Sequence, residues 1–120
     1  MPWLAADDVH ELLRKVWTDA KAWLVGRYVI MPDHIHLFAA PGSPDLPLEN
    51  WVQYWKSQLT KRRRRPENRW QTDHWDTRLR SGESYEQKWN YVVNNPVRRG
   101  LVERSEDWRL QGEIYQLRWQ

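Results

Sequence analysis

Two histidines separated by a single residue, His34-Ile35-His36, carry the sharpest chemical signal in the chain. In an extended strand, side chains two apart point to the same face, so both imidazoles can approach one metal ion while Ile35 and Leu37 face the other side. Two imidazole ligands leave coordination positions open, which suits a catalytic centre better than a closed structural one. The bland alternative is a pair of partly buried polar residues on a sheet surface, a costly way to fill a core. A histidine-triad nucleotide hydrolase needs a third histidine next on that face, and Phe38 stands there instead.

Tyr91 and Asn95 form a second pair, spaced i, i+4 on a predicted helix and therefore stacked on one face. The apolar stripe of that helix is Tyr85, Trp89, Val92 and Val93, so Tyr91 lies off it, on the side of Lys88 and Asn95. A tyrosine can act as a covalent nucleophile, and an amide oxygen can complete the coordination of a hard cation. From these residues alone, a surface tyrosine beside a helix-terminal asparagine is the favoured reading.

A third feature is charge. The chain has 120 residues, with 19 lysines and arginines against 16 acids, a formal balance of +3. Residues 56–65 hold six basic side chains (Lys56, Lys61, Arg62, Arg63, Arg64 and Arg65) and no acid, so the other 13 basic residues face 16 acids, a balance of −3. Trp51, Tyr54 and Trp55 precede this run and Trp70 follows it. Clustered cations bind phosphate backbones and exposed aromatics stack on unpaired bases, the combination expected of a single-stranded nucleic-acid surface. A solvated helix end is the plain alternative. His74, between Trp70 and Tyr91, is a candidate phosphate contact, with an ordinary surface histidine as the alternative. His10, on the polar face of the first helix, reads as solvated.

The elements that must position these residues follow from periodicity. Val9, Leu12, Leu13, Val16, Trp17 and Ala20 predict an amphipathic helix over 7–22, with Asp8 and Glu11 as a capping signal. Residues 23–31 and 34–40 read as a hairpin turned at Pro32-Asp33. Residues 41–47, with three prolines and a glycine, must be a loop. Leu48, Trp51, Val52, Trp55 and Leu59 predict a helix with cations in its last turn, ended by Pro66. Residues 70–79 read as a polar strand. Ser84 with Gln87 opens the helix that closes at Asn95-Pro96. The tail, 101–120, carries no assignable period. Helix, strand, strand, helix, strand, helix is an α+β order: a ferredoxin-like split βαβ sandwich with an antiparallel sheet whose first strand is missing, in one domain spanning 1–120.

Composition narrows the classes. Without cysteine there are no disulfides, thiolate metal sites or cysteine nucleophiles, and a cytoplasmic address follows by default. No apolar run exceeds four residues, so no membrane span is expected. There is no Walker loop, dinucleotide fingerprint or His-Glu-x-x-His. Ten tryptophans accompany a single phenylalanine. Trp17, Trp51, Trp55 and Trp89 lie on apolar stripes and read as core; Trp70 and Trp75 lie off such stripes and read as stacking candidates.

YVIMPDHIHLFAAP at 28–41, RLRSGESYEQKWNYVVNNPVRRGLV at 78–102 and GEIYQLRW at 112–119 together resemble the REP-associated tyrosine transposases, relatives of the single-tyrosine HUH transposases. The resemblance covers most of the chain from about residue 9. It implies that His34 and His36 are the HUH metal ligands, Asn95 the third ligand and Tyr91 the nucleophile, with Mg²⁺ or Mn²⁺ polarising the scissile phosphate. It implies a 5′-phosphotyrosine link, a free 3′-hydroxyl and reversal by rejoining, on single-stranded DNA carrying REP-like hairpins, without a nucleotide cofactor. Lys88, one turn before Tyr91, is a candidate to assist its ionisation and to touch DNA. The family normally begins with a strand inside the sheet, whereas here Met1 is followed almost at once by the first helix. A shortened form or a differently completed sheet is expected, with edges at which a second copy can pair as a homodimer. Three activities are consistent with these residues: nicking and joining through Tyr91, hairpin binding without catalysis, and metal-dependent hydrolysis by water.

Overall fold

The structure, a computed structural model, describes Leu4 and residues 6–43, 46–63 and 82–117. The first apolar stripe winds into α1 (Asp7–Asp19), burying Val9, Leu13, Val16 and Trp17. The helix stops three residues before the predicted end, because Ala20 leaves helical geometry at ψ 69°. The predicted cap is not used: Ala6 occupies the N-cap with no side-chain bond, and the Asp8 carboxylate instead accepts from Arg63 Nε at 2.8 Å. Asp7 and Asp8 still place negative charge at the positive end of the helix dipole.

β1 (Trp23–Ile30) and β2 (Ile35–Pro41) form the predicted antiparallel hairpin, with Tyr28 opposite Leu37, Val29 opposite His36 and Ile30 opposite Ile35. The register shifts between Val25 and Tyr28. Gly26 sits in this irregularity, where a Cβ would lie 2.6 Å from Leu117 Cδ1 and 2.8 Å from the Tyr85 hydroxyl oxygen. A side chain there would push both groups away from the strand.

The tail that has no readable period supplies the third strand. β3 (Gln111–Glu113) pairs antiparallel with Arg27–Val29, giving the order β2-β1-β3. Three residues are too few to show alternation, so pairing with β1 rather than local pattern makes this segment a strand. The predicted strand over 70–79 lies outside the described residues.

α2 (Leu48–Arg62) begins where predicted and buries Trp51, Val52, Trp55 and Leu59. α3 (Gly82–Val93) begins two residues before Ser84. It does not run on into Asn95-Pro96. Asn94 turns the chain and a new short helix, α4 (Asn95–Arg98), starts with Pro96 in its first turn, where the missing N–H costs nothing. Gly100, at φ +72°, ends that turn in left-handed geometry that disfavours a side chain. A 3₁₀ turn, Ser105–Asp107, leads back towards the sheet.

The layers follow the alternation of the strands. Val25, Tyr28 and Ile30 of β1, with Ile35, Leu37 and Ala39 of β2, join α1 and α2 in the main core. Val29, Met31 and Phe38, on the opposite face, pack with Val92 and Trp89 of α3 and with Trp108. The expected α+β fold with an antiparallel sheet is the fold observed.

The tryptophans read as core divide by depth. Trp17 and Trp51 are fully buried and Trp55 nearly so, whereas Trp89 is half-buried at the rim of the smaller cluster. Trp17 meets Tyr28 and Trp55 edge-on, with centroids 5.1 and 5.5 Å away. The Trp51 indole N–H donates to Ala20 O at 2.8 Å, so its burial strands no donor there. Trp70 and Trp75 lie outside the described residues. Truncating Trp17 to alanine removes the hub of this cluster and is expected to cost about 3–5 kcal/mol in urea denaturation. Tyr54→Ala, at a position 52% exposed, should stay within ~0.5 kcal/mol; equal losses at the two positions would contradict this core.

Candidate active site

The site is assembled from β2 and the α3–α4 break. The turn at Pro32-Asp33 is closed by Met31 N–H donating to His34 O at 2.8 Å, so His34 is the last residue before β2 and His36 the second within it. Because Ile35 and Leu37 are drawn into the α1/α2 core, His36 must face α3 and α4. The two imidazole Nε2 atoms come to 3.1 Å from each other, with ring centroids 4.8 Å apart and the rings nearly perpendicular.

The other ring edges fix what those nitrogens present. His34 Nδ1 lies 2.7 Å from Asp33 Oδ1, so Nδ1–H donates to the carboxylate and Nε2 is turned towards His36. That bond, more than any other influence, holds the Asp33 carboxyl below the usual carboxylate range. Asp33 also accepts from Arg99 at 3.3 Å, tying the turn to the end of α4. Asn95, first residue of α4, places Nδ2 at 2.8 Å from His36 Nε2. His36 Nε2 therefore accepts from Asn95, its lone pair directed at that amide.

With His34 carrying its proton on Nδ1, its Nε2 lies unprotonated 3.1 Å from His36 Nε2, and a cation entering between the two rings would take the His36 lone pair from the Asn95 amide. The spacing suits a cation, since adjacent ligands of an octahedral ion bound at 2.0–2.1 Å lie about 3 Å apart. Among the described residues no cluster of three histidines, cysteines or carboxylates forms, so a third protein ligand would be the Asn95 amide oxygen. Two imidazole nitrogens and an amide oxygen could hold a divalent cation with further positions open.

Tyr91 is 66% exposed. It lies on α3 off the stripe of Tyr85 and Val92, which are buried against the sheet, and Lys88 is exposed one turn earlier. Tyr91 and Asn95 do not stack on one continuous helix, because α3 ends at Val93. The break turns Asn95 towards His36 and leaves Tyr91 facing solvent. What joins them is Arg98, a residue the sequence reading passes over. Its guanidinium carbon lies 3.9 Å from the Tyr91 ring centroid, and it donates to Tyr91 O at 2.7 Å and to Asn95 Oδ1. The available signal was the pair Arg98-Arg99, one residue beyond Asn95-Pro96, hidden by the larger run at 61–65.

The described part of that larger run is not brought here. Lys56, Lys61, Arg62 and Arg63 belong to α2 or its C-cap, whose core contacts lie on the α1 face of the sheet, opposite α3. Arg62 and Arg63 pair with Asp19 and Asp8 of α1 at 3.8 and 2.8 Å. Lys56 is half-buried, and that burial lowers its pKa from the ordinary lysine value. Arg64, Arg65, Trp70 and His74 lie outside the described residues. His10, read as solvated, is half-buried and places Nε2 2.6 Å from the Tyr28 hydroxyl, which also accepts from Arg14.

The α+β fold thus sets His34 and His36, around the start of β2, against Asn95 at the start of α4, with Tyr91 exposed on α3. No family model matches the chain. Curated relatives do: the REP-associated tyrosine transposase of Escherichia coli (strain K12) is 28% identical over 85 residues, covering 70% of this chain and 50% of that protein. A putative REP-associated tyrosine transposase of Haemophilus influenzae (strain ATCC 51907 / DSM 11121 / KW20 / Rd) is 29% identical over 110 residues, covering 75% of this chain and 62% of that protein. The chain thus spans about half to three-fifths of the length of these relatives. A solved structure of a REP-associated tyrosine transposase bound to a REP hairpin shares the fold, with a TM-score of 0.77 at 20% identity over 97% of this chain and 80% of that one. The chain is similar in sequence to REP-associated tyrosine transposases and shares the fold of one, in line with the sequence resemblance. No helix among the described residues is long and apolar enough to cross a membrane.

Burial first, then the positive charge of His34 and Arg98, lowers the His36 pKa to about 4. The sign of the linkage follows. Between pH 6.5 and about 4 the unfolded chain takes up a proton at this position that the folded chain refuses, so His36 lowers stability as pH falls through that window. In the metal-free protein, NMR should find the His36 ring neutral at pH 5.5; a midpoint near 6.5 would contradict the burial.

Proposed function

We propose that this chain is a metal-dependent enzyme that nicks and rejoins single-stranded DNA at hairpin-associated sites through a 5′-phosphotyrosine intermediate. The observation that carries the reading is the convergence of His34 Nε2, His36 Nε2 and the Asn95 amide beside an exposed Tyr91. The kinship with REP-associated tyrosine transposases, and a shared fold with one bound to a REP hairpin, support it.

Each side chain has a distinct part. His34, oriented by Asp33, and His36, kept neutral by burial, would hold the cation together with the Asn95 oxygen. A divalent cation bound there supplies charge neutralisation at the scissile phosphate. Tyr91, exposed on a helix packed against the sheet, would approach the phosphate in line. Its phenolic oxygen attacks phosphorus, its proton passing to solvent or to a nearby base; the bond from phosphorus to the 3′ oxygen breaks and that oxygen leaves as a hydroxyl after taking a proton. The phosphate is then joined to the tyrosine oxygen and to the 5′ side of the DNA. Attack by a 3′-hydroxyl reverses these changes and restores the phenol, so no nucleotide cofactor is consumed.

Arg98 lies over Tyr91, Arg99 donates to Asp33 and Lys88 is exposed one turn before Tyr91, and these cations would supply phosphate affinity there. Lys61, exposed on the α1/α2 layer, would contact a hairpin extending away from the cleaved strand, whereas Arg62 and Arg63 there are paired with Asp19 and Asp8. Incubating the chain with a hairpin-bearing single-stranded oligonucleotide and Mn²⁺ should give a covalent adduct stable to SDS, abolished by chelation and by Tyr91→Phe. An adduct that persists in Tyr91→Phe would refute the nucleophile. Cleavage without a protein-linked end would point to water as the nucleophile, and hairpin binding that survives chelation without cleavage would mark a non-catalytic module.

A further inference from the structure

Arg98 is placed to hold the site in a form that does not offer its third ligand. Arginine has only donors, so the oxygen of Asn95 must be the atom that meets Arg98. The Asn95 amide nitrogen is thereby the atom that faces His36 Nε2, at 2.8 Å. An amide nitrogen cannot ligate a hard cation; an amide oxygen can. The same guanidinium lies over the Tyr91 ring at 3.9 Å and donates to Tyr91 O at 2.7 Å. One exposed side chain thus engages both residues that the proposed reaction needs from α3 and α4.

We propose that Arg98 is a positioning residue acting as a latch: in the metal-free protein it turns the Asn95 oxygen away from the histidine pair, and cation binding requires that bond to open and the amide to rotate. This rests on the metal site of the proposed function. Opening the latch releases the guanidinium from Asn95 while it stays over Tyr91, so a donor becomes free for a phosphate beside the tyrosine. Metal entry and readiness for phosphate are then coupled through one hydrogen bond, because the Asn95 oxygen cannot serve both partners along its present direction.

The test is Mn²⁺ affinity measured calorimetrically on the DNA-free chain. Arg98→Met, which keeps an aliphatic stem over Tyr91, should bind Mn²⁺ roughly tenfold more tightly than the parent, the equivalent of one charge-assisted hydrogen bond removed from the competing state. Loss of a nearby positive charge would also favour a cation, so the gain is measured again with Asn95→Ala. A gain that vanishes in the Arg98→Met/Asn95→Ala pair supports the latch, and a gain of the same size there overturns it. The Asn95 side-chain amide resonances provide a second reading, and should shift on Arg98→Met without metal and again on adding a diamagnetic divalent ion. Mn²⁺ binding by the parent with no gain in Arg98→Met overturns the latch but not the metal site. No binding by either protein at millimolar Mn²⁺ overturns both.

Discussion

The strict alternation of β2 is the constraint on which the site depends. Ile35, Leu37 and Ala39 pack into the core formed with α1 and α2, and the pleat then leaves His36 and Phe38 no face but the one covered by α3. A slip of one residue against β1 would put isoleucine and leucine under α3 and the imidazole among buried tryptophans. The apolar cost of that exchange holds the register, so the main core, which contains no catalytic candidate, sets the direction of His36.

The second face is built more lightly. Tyr85 packs on Phe38 with ring centroids 4.8 Å apart, and Arg27 lies over both Tyr85 and Trp89 while pairing with Glu86 at 2.9 Å. The Tyr85 hydroxyl accepts from Arg27 N–H at 3.2 Å, an approach open because Gly26 beside it has no side chain. Trp108 closes the far end, its indole N–H donating to Ile30 O at 3.1 Å. These contacts fix α3 at the height where the break at Asn94 points Asn95 towards His36. A break one residue earlier or later would rotate that amide by roughly 100° about the helix axis and take it from the imidazole.

Legibility differed by kind of signal. The hairpin, α2 and the buried stripes of α1 and α3 were readable because each rests on a period repeated over two or more turns or several strand residues. β3 was not, since three residues acquire strand geometry only by pairing with Arg27–Val29. The break between α3 and α4 was half-readable: Pro96 marks a discontinuity, but proline tolerates the first turn of a new helix as readily as it ends an old one. Arg62 and Arg63 show the limit of reading charge from composition, because their partners Asp19 and Asp8 lie more than forty residues earlier and pair only when α1 meets α2.

By itself the sequence determined which residues can do chemistry: two imidazoles with a two-residue spacing, an off-stripe tyrosine, and an asparagine four residues on. Those follow from side-chain type and from the periods of strand and helix, both local properties. Tertiary structure alone decided that the imidazole nitrogens meet at 3.1 Å, that Asp33 orients one of them, that Asn95 presents nitrogen rather than oxygen, and that Arg98 joins tyrosine to asparagine. Each of these is a relation between groups brought together by packing and by directional hydrogen bonds, and neither periodicity nor composition encodes a partner's position in space.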